Sequence, residues 1–284
     1  MTNHGILLVQ CPDQRGIVAA LANFIDQFHG DILHADEHQD VDTKLFLSRM
    51  EWKLDGFTLD PAEVPARFAP IAEKFGMKWR FELSSRRQKV AIFVSRFDHC
   101  LADLLFRHKT GELACDLPLI VSNHPDTRPL AEFHGIPYHE IPVAKDNKQA
   151  AEQAAVGLLR EHDIELIVLA RYMQILSGGF IARYPNRIIN IHHSFLPAFI
   201  GARPHQRSHE RGVKLIGATS HYVTEVLDEG PIIEQDVTRV SHRDTLDSLI
   251  QKGRDLERVV LSRAVRWHLE NKIMVYGNKT VIFD

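Results

Sequence analysis

The sequence predicts an α/β protein in two parts: a ferredoxin-like βαββαβ unit over residues 1–84, then a doubly wound, mainly parallel sheet over residues 85–284. Three observations predict it. Apolar patterns in the first 84 residues follow the order strand, helix, strand, strand, helix, strand. A polar stretch, Ser84-Ser85-Arg86-Arg87-Gln88, interrupts them. After it, short β-rich runs alternate with helical ones, the pattern of a parallel sheet with crossover helices.

Gly5 to Cys11 reads as a strand, Asp13 as a helix cap, and Gly16 to Phe28 carries apolar residues at helical spacing. Asp31–Glu37 and Lys44–Leu54 alternate like strands, Pro61–Phe75 is helical, and Met77–Leu83 alternates again. In the second part, residues 90–94, 119–121, 164–169 and 187–191 are strands, with helices predicted over 98–108, 127–134 and 147–161. Leu215–Val223 and Pro231–Val237 are strands able to pair as a hairpin, and residues 243–270 form a long helix.

Composition narrows the class. The 284 residues are 44% hydrophobic and 25% charged, which disfavours disorder. Lys and Arg total 34 against 37 Asp and Glu, so no nucleic-acid or anionic-membrane partner is expected and small-molecule chemistry is the better default. Three widely spaced cysteines without a Cys-x-x-Cys pair fit a reducing compartment. No run approaches the roughly 18 apolar residues of a membrane span, and the first apolar run lacks a basic leader. An unprocessed, cytoplasmic protein is expected.

Ligands of open α/β sheets sit beyond the carboxyl ends of the strands. There the strand at 187–191 ends in Asn190-Ile191-His192-His193-Ser194. Strand alternation puts Asn190 and His192 on one face, so an amide and an imidazole share a cavity. The apolar loop Phe195–Gly201 could wall that cavity, and the turn Leu227-Asp228-Glu229-Gly230-Pro231 could return a carboxylate to it.

Together Asn-x-His, the Leu-Pro loop and the later Leu-Asp-x-Gly-Pro resemble the folate-dependent formyltransferase family. Ser95-Arg-Phe-Asp-His-Cys, Leu169-Ala-Arg-Tyr-Met-Gln-Ile-Leu-Ser, Leu215-Ile-Gly-Ala-Thr-Ser-His-Tyr and Ser241-His-Arg-Asp look most like its hydrolytic branch. Cys11-Pro-Asp-Gln-Arg-Gly-Ile-Val resembles the opening of an ACT domain.

The resemblance implies a formyltransferase-like catalytic sheet preceded by an ACT-like regulatory or oligomerisation domain. It implies hydrolysis of 10-formyltetrahydrofolate to tetrahydrofolate and formate, supplying formate for purine biosynthesis, with Asn190, His192 and Asp228 catalytic. The pterin would lie against Met173, Gln174, Ile175 and Leu176, with Val223 and Thr224 opposite. An amino-acid effector would border Asp13, Gly16 and Ile17 in a homo-oligomer. No cofactor beyond the folate substrate and no metal is implied.

The loop Ser95–His99 lacks the glycines that cradle phosphate, and its Asp98 would repel one, which favours water over a nucleotide amine as acceptor. Alternatives are formyl transfer to an amine, or a folate or amino-acid sensor without turnover. Among other readings, zinc on His192, His193, His205, His209 and His221 is disfavoured because no His-Glu-x-x-His occurs and adjacent histidines alternate faces on a strand. Ser194 lacks a nucleophile elbow, and Cys100 reads as a small buried hydrophobe.

Overall fold

The computed structural model describes residues 3–198 and 204–284. They divide into two compact units, one of residues up to 86 with 270–274 and 281–284, the other of 87–269 with 275–280. The sequence division at 84/85 did not include those C-terminal pieces in the first unit.

In the first unit, β1 (His4–Pro12), α1 (Ile17–Gln27), β2 (Asp31–Asp40), β3 (Leu45–Lys53), α2 (Val64–Phe75) and β4 (Lys78–Leu83) follow the predicted βαββαβ order. The antiparallel sheet runs β2-β3-β1-β4. Period-two alternation sends Leu7, Val9, Met50 and Trp52 into a core with Leu21, Phe24 and Phe68 from the helices. Phe68 meets Phe24 and Trp79 edge-on at centroid distances of 5.2 and 4.9 Å. On the other face, buried Arg49 donates to Glu51 and to the carbonyls of Asn271 and Glu270 at 2.8, 3.0 and 3.3 Å. Those acceptors satisfy a charge that burial would otherwise penalise.

One expectation at the start of α1 needs correction. Asp13 does not cap the helix: its carboxylate accepts from Gln39 Nε2, while Gly16 occupies the cap position with φ +95°. A Cβ at Gly16 would meet nothing within 4 Å, so the left-handed backbone rather than close packing calls for glycine there.

The second unit contains β5 (Gln88–Val94), α3 (His99–Lys109), β6 (Cys115–Ser122), α4 (Arg128–Phe133), β7 (Tyr138–Glu140), α5 (Lys148–Glu161), β8 (Leu166–Ala170), α6 (Gly178–Ile181), β9 (Ile188–His192), α7 (Pro204–Arg211), β10 (Leu215–Tyr222), β11 (Ile232–Arg239) and α8 (Leu246–Leu269). A terminal hairpin follows, β12 (Ile273–Tyr276) and β13 (Lys279–Ile282). The large sheet runs β11-β10-β9-β8-β5-β6-β7. Its pairs from β9 to β7 are parallel, and β10 is antiparallel to both β9 and β11. The run Leu166–Ala170 is wholly buried, as a strand covered on both faces requires.

Strand order reverses between β5 and β8. The segments after β5, β8 and β9 therefore leave the same sheet edge, where such folds place ligands. Ser95, 2% exposed, ties this edge together: its hydroxyl donates to Asn123 Oδ1 at 2.6 Å and accepts from Met173 N at 2.9 Å.

The β10–β11 connection is held by backbone proximity. Tyr222 N donates to Pro231 O at 2.9 Å, and Asn278 Nδ2 donates to Glu229 O at 2.9 Å. A Cβ on Gly230 would lie 1.8 Å from Tyr222 O, a backbone clash that no rotamer relieves. Gly230→Ala is expected to cost about 1–3 kcal/mol or more, as overpacking does. The midpoint of urea unfolding measures it, and an unchanged midpoint would show that the connection can move aside.

Candidate active site

Antiparallel register assembles the polar centre. Asn190 lies directly opposite His221 and His192 opposite Thr219, and directly opposed residues project to the same face. Asn190 Nδ2 is accordingly 3.2 Å from His221 Nε2. The chain leaves β10 beside β9, with Val223 N donating to Ile188 O at 2.9 Å, and Asp228 then reaches back. Its Oδ2 is 3.2 Å from His192 Nδ1 and its Oδ1 is 3.6 Å from His221 Nε2. Thus Asn190, His192 and Asp228 converge, and His221, which the sequence reading considered only as a zinc ligand, joins them.

Proton positions follow from what each partner can accept. His221 Nδ1 faces the Tyr222 carbonyl at 3.0 Å, and a carbonyl only accepts, so Nδ1 carries a proton. Nε2 then stands between Asn190 Nδ2 and Asp228 Oδ1: it accepts from the amide when the ring is neutral and donates to the carboxylate when the ring is protonated. Facing Asp228, His192 Nδ1 donates, and its Nε2 is buried without a hydrogen-bond partner among the described residues.

Asp228 is nearly buried, at 9% side-chain exposure. Burial alone would raise its carboxyl pKa. The imidazoles of His192 and then His221 outweigh that and hold it well below the ordinary carboxylate range. Asp228 also has φ +58°, a left-handed conformation that aspartate tolerates better than most residues.

These groups line a pocket of about 700 Å³, within the range of small-molecule sites. Met173, Gln174, Ile175, Leu176, Val223 and Thr224 all line it, with Met173 and Ile175 exposed. Phe97, His99, Arg171, Arg254 and Glu257 line it as well and were not anticipated. Arg171 and Arg254 give this lining its positive charge.

Some expectations are corrected. Asp98 is exposed and is not in the pocket lining, whereas its neighbours Phe97 and His99 are. Residues 195–198 of the Phe195–Gly201 loop do not line it either: Phe195 lies against Gly217, and Leu196 N donates to Thr219 Oγ1 at 3.0 Å. Residues 199–201 lie outside the described residues. His193 does not alternate away from His192. It follows the last residue of β9 and stacks on His192 at 5.2 Å and 29°.

Of the histidines weighed as zinc ligands, the His205 side chain lies outside the described residues and the rest form no ligand cluster among them. His99, Cys100 and Glu257 do gather. However, Arg171 Nε stands 3.3 Å from Glu257 Oε2, and burial followed by the Glu257 charge pushes the Cys100 thiol far up, which disfavours a thiolate ligand. In the first unit, Ile17 is a core residue at 2% exposure, so its side chain does not face a ligand.

The fold is that of the formyl transferase family, whose model matches residues 88–265. A formyltetrahydrofolate deformylase of Synechocystis is 56% identical over 277 residues, covering 98% of this chain and 97% of the relative. One from Bacillus subtilis is 49% identical, covering 99% of this chain and 94% of the relative. The crystal structure of a Pseudomonas syringae formyltetrahydrofolate deformylase superposes with a TM-score of 0.98 at 46% identity, covering 100% of this chain and 95% of that one. A glycinamide ribonucleotide transformylase from Symbiobacterium toebii matches 70% of this chain and 95% of its own, with a TM-score of 0.66 at 29% identity. The chain belongs to the formyltetrahydrofolate deformylase family.

The state of Asp228 is testable through linkage. Its pKa is lower folded than unfolded, so its contribution to stability is complete above about pH 4–5 and is lost as pH falls toward the lowered value. Urea unfolding of wild type and Asp228→Asn should therefore shift in the variant's favour as pH drops from about 6 to about 3. A difference that stays flat would mean that the carboxyl titrates normally.

Proposed function

We propose that this chain hydrolyses 10-formyltetrahydrofolate to tetrahydrofolate and formate, with Asn190, His192 and Asp228 as its catalytic residues. The observation that carries the assignment is the buried, unpartnered His192 Nε2 in the pocket, beside an amide oriented by His221. Leaving such an atom unsatisfied costs about 1–3 kcal/mol, a cost that a substrate atom hydrogen-bonded there removes.

Hydrolysis of the N10-formyl group passes through a tetrahedral oxyanion, which preorganised donors stabilise. A carboxyl with so low a pKa is a poor proton acceptor near neutrality, so His192 is the proton carrier and Asp228 its orienting partner. Neutral His192 takes a proton from the attacking water through Nε2. The imidazolium, balanced by Asp228, then hydrogen-bonds the oxyanion alongside Asn190 and passes the proton to N10. These steps draw on side chains alone and need no cofactor besides the folate.

The apolar wall of Met173, Ile175, Leu176 and Val223 suits a flat pterin, with the backbone and polar groups of Gln174 and Thr224 at its edges. Buried, unpaired Cys11, Cys100 and Cys115 fit a reducing compartment such as the cytoplasm, where the formate would feed purine biosynthesis.

Wild-type chain should release formate from 10-formyltetrahydrofolate with no amine acceptor present, and strict dependence on an added amine would sink the assignment. Asn190→Ala should lower kcat about 100- to 1000-fold with KM little changed. Near-normal turnover would remove Asn190 from the oxyanion site.

The first unit, by its resemblance to ACT domains, supports assembly of a homo-oligomer with an amino-acid effector at Asp13 and Gly16. The first turn of α1 has no side-chain cap, which leaves amides for a carboxylate. Calorimetric titration of single amino acids should find one that binds wild type and fails with Gly16→Val, and sedimentation should show more than one chain per particle. Absence of any binder together with a monomer would defeat this.

A further inference from the structure

One end of the pocket is left unused by the steps above, and its chemistry differs from that of the apolar wall. α8 sends Ile250, Arg254 and Glu257 toward it at helical spacing. Glu257, 2% exposed, receives His99 Nε2 at 2.8 Å and faces Arg171 Nε at 3.3 Å. Burial would raise this carboxyl, but His99 and then Arg171 outweigh it and keep it below its ordinary value. The Glu257 charge is thus matched by Arg171, which it anchors in the wall.

Arg254 has no such match. It is half-buried, lines the pocket and pairs with no carboxylate among the described residues. Its guanidinium carbon lies 5.7 Å from the centroid of the Phe97 ring, and that of Arg171 lies 5.5 Å from the same centroid. Arg171, Arg254 and Glu257 therefore sum to one positive charge before any imidazole is protonated. This end adjoins the reacting centre directly: Arg171 Nη1 is 2.6 Å from His193 Nδ1, and His193 stacks on His192.

A guanidinium without an acidic partner, in a partly desolvated wall, is matched by a planar carboxylate, which its fork can meet with two hydrogen bonds. Hydrolysis at Asn190, His192 and Asp228 creates one in the same pocket. The water oxygen bonds to the formyl carbon, the C–N10 bond breaks, N10 takes one proton and a second leaves to solvent, so a neutral amide becomes an amine and an anion. Asp228 repels that anion, and the Arg254 end attracts it.

We propose that the Arg254 end of the pocket is a subsite for the released formate, separate from the apolar wall that holds the folate. This rests on the hydrolytic reading of the same site. Folate carries carboxylates of its own, and the test distinguishes them from formate.

Carbon-14 formate is dialysed to equilibrium against the full chain, alone and with saturating tetrahydrofolate. Binding is expected in both conditions, because the two ligands occupy different ends. Exclusion of formate by tetrahydrofolate would overturn the proposal in wild type without any variant. Arg254→Gln and Arg254→Met should weaken formate binding at least about tenfold, the loss of one charge-assisted contact. Arg254→Lys should lose less, and Arg258→Gln, one turn along α8 where Arg258 pairs with Asp255, should bind as wild type. Unchanged binding in a folded Arg254→Gln or Arg254→Met chain, or no formate binding by wild type, overturns it. Turnover of 10-formyltetrahydrofolate by the same preparation is read separately. A chain that turns over but binds formate regardless of Arg254 defeats only the subsite, and one that does not turn over defeats the hydrolytic reading.

Discussion

A mostly buried carboxylate kept ionised at the wall of a pocket is the constraint around which the second unit is organised. Asp228 faces two imidazoles rather than an arginine or a lysine. An arginine there would hold the carboxylate equally well but could not release a proton near neutrality. The tight backbone approach at Gly230 and the Asn278 brace keep the connection in place, and the left-handed backbone of Asp228 aims its side chain back at β9.

The pocket walls divide the work between two kinds of interaction. A heterocycle buried against Ile175, Leu176 and Val223 would gain affinity roughly in proportion to area and little orientation. Orientation would have to come from the few polar atoms near Asn190 and His192. Formyl transferases share this fold while differing in acceptor, so the fold alone does not choose water over an amine. The wall after β5 and β8 is built from this chain's own side chains. Here they include Phe97 and Arg171, both large, in contact through the ring face.

What could be read from the sequence was what depends on local pattern. The strand ending at His192 was legible because an apolar run stops at polar residues, and Asp228 because its turn is flanked by two strand patterns. His221 was not, because its part depends on standing opposite Asn190 across an antiparallel pair, a register fixed only when both strands are placed. The Arg171–Glu257 pair joins positions 86 apart, beyond any periodicity. β7, with three residues, and α6, with four, are too short to show a period, and α7 carries too few apolar residues to show one. The terminal hairpin did leave a signal in Gly277-Asn278, a pair suited to a tight turn, with Gly277 at φ +54°. Asp13 failed as a cap because a glycine three residues later meets the geometry by backbone alone.

Two residues without glycine's freedom, Arg171 and Asp228, adopt positive φ at the pocket, with φ +63° and +58°. Each costs of order 1 kcal/mol, and aspartate offsets part of that locally whereas a long cationic side chain does not. Such conformations persist only where surroundings over-determine them. For Asp228 the surroundings are two histidines, and for Arg171 they are a buried glutamate, His193 and an aromatic face. Of the non-glycine residues with positive φ, these two are the ones whose charges line the pocket. Relaxing either backbone would take a charge out of the pocket, so the strain is part of how the site stays assembled before substrate arrives.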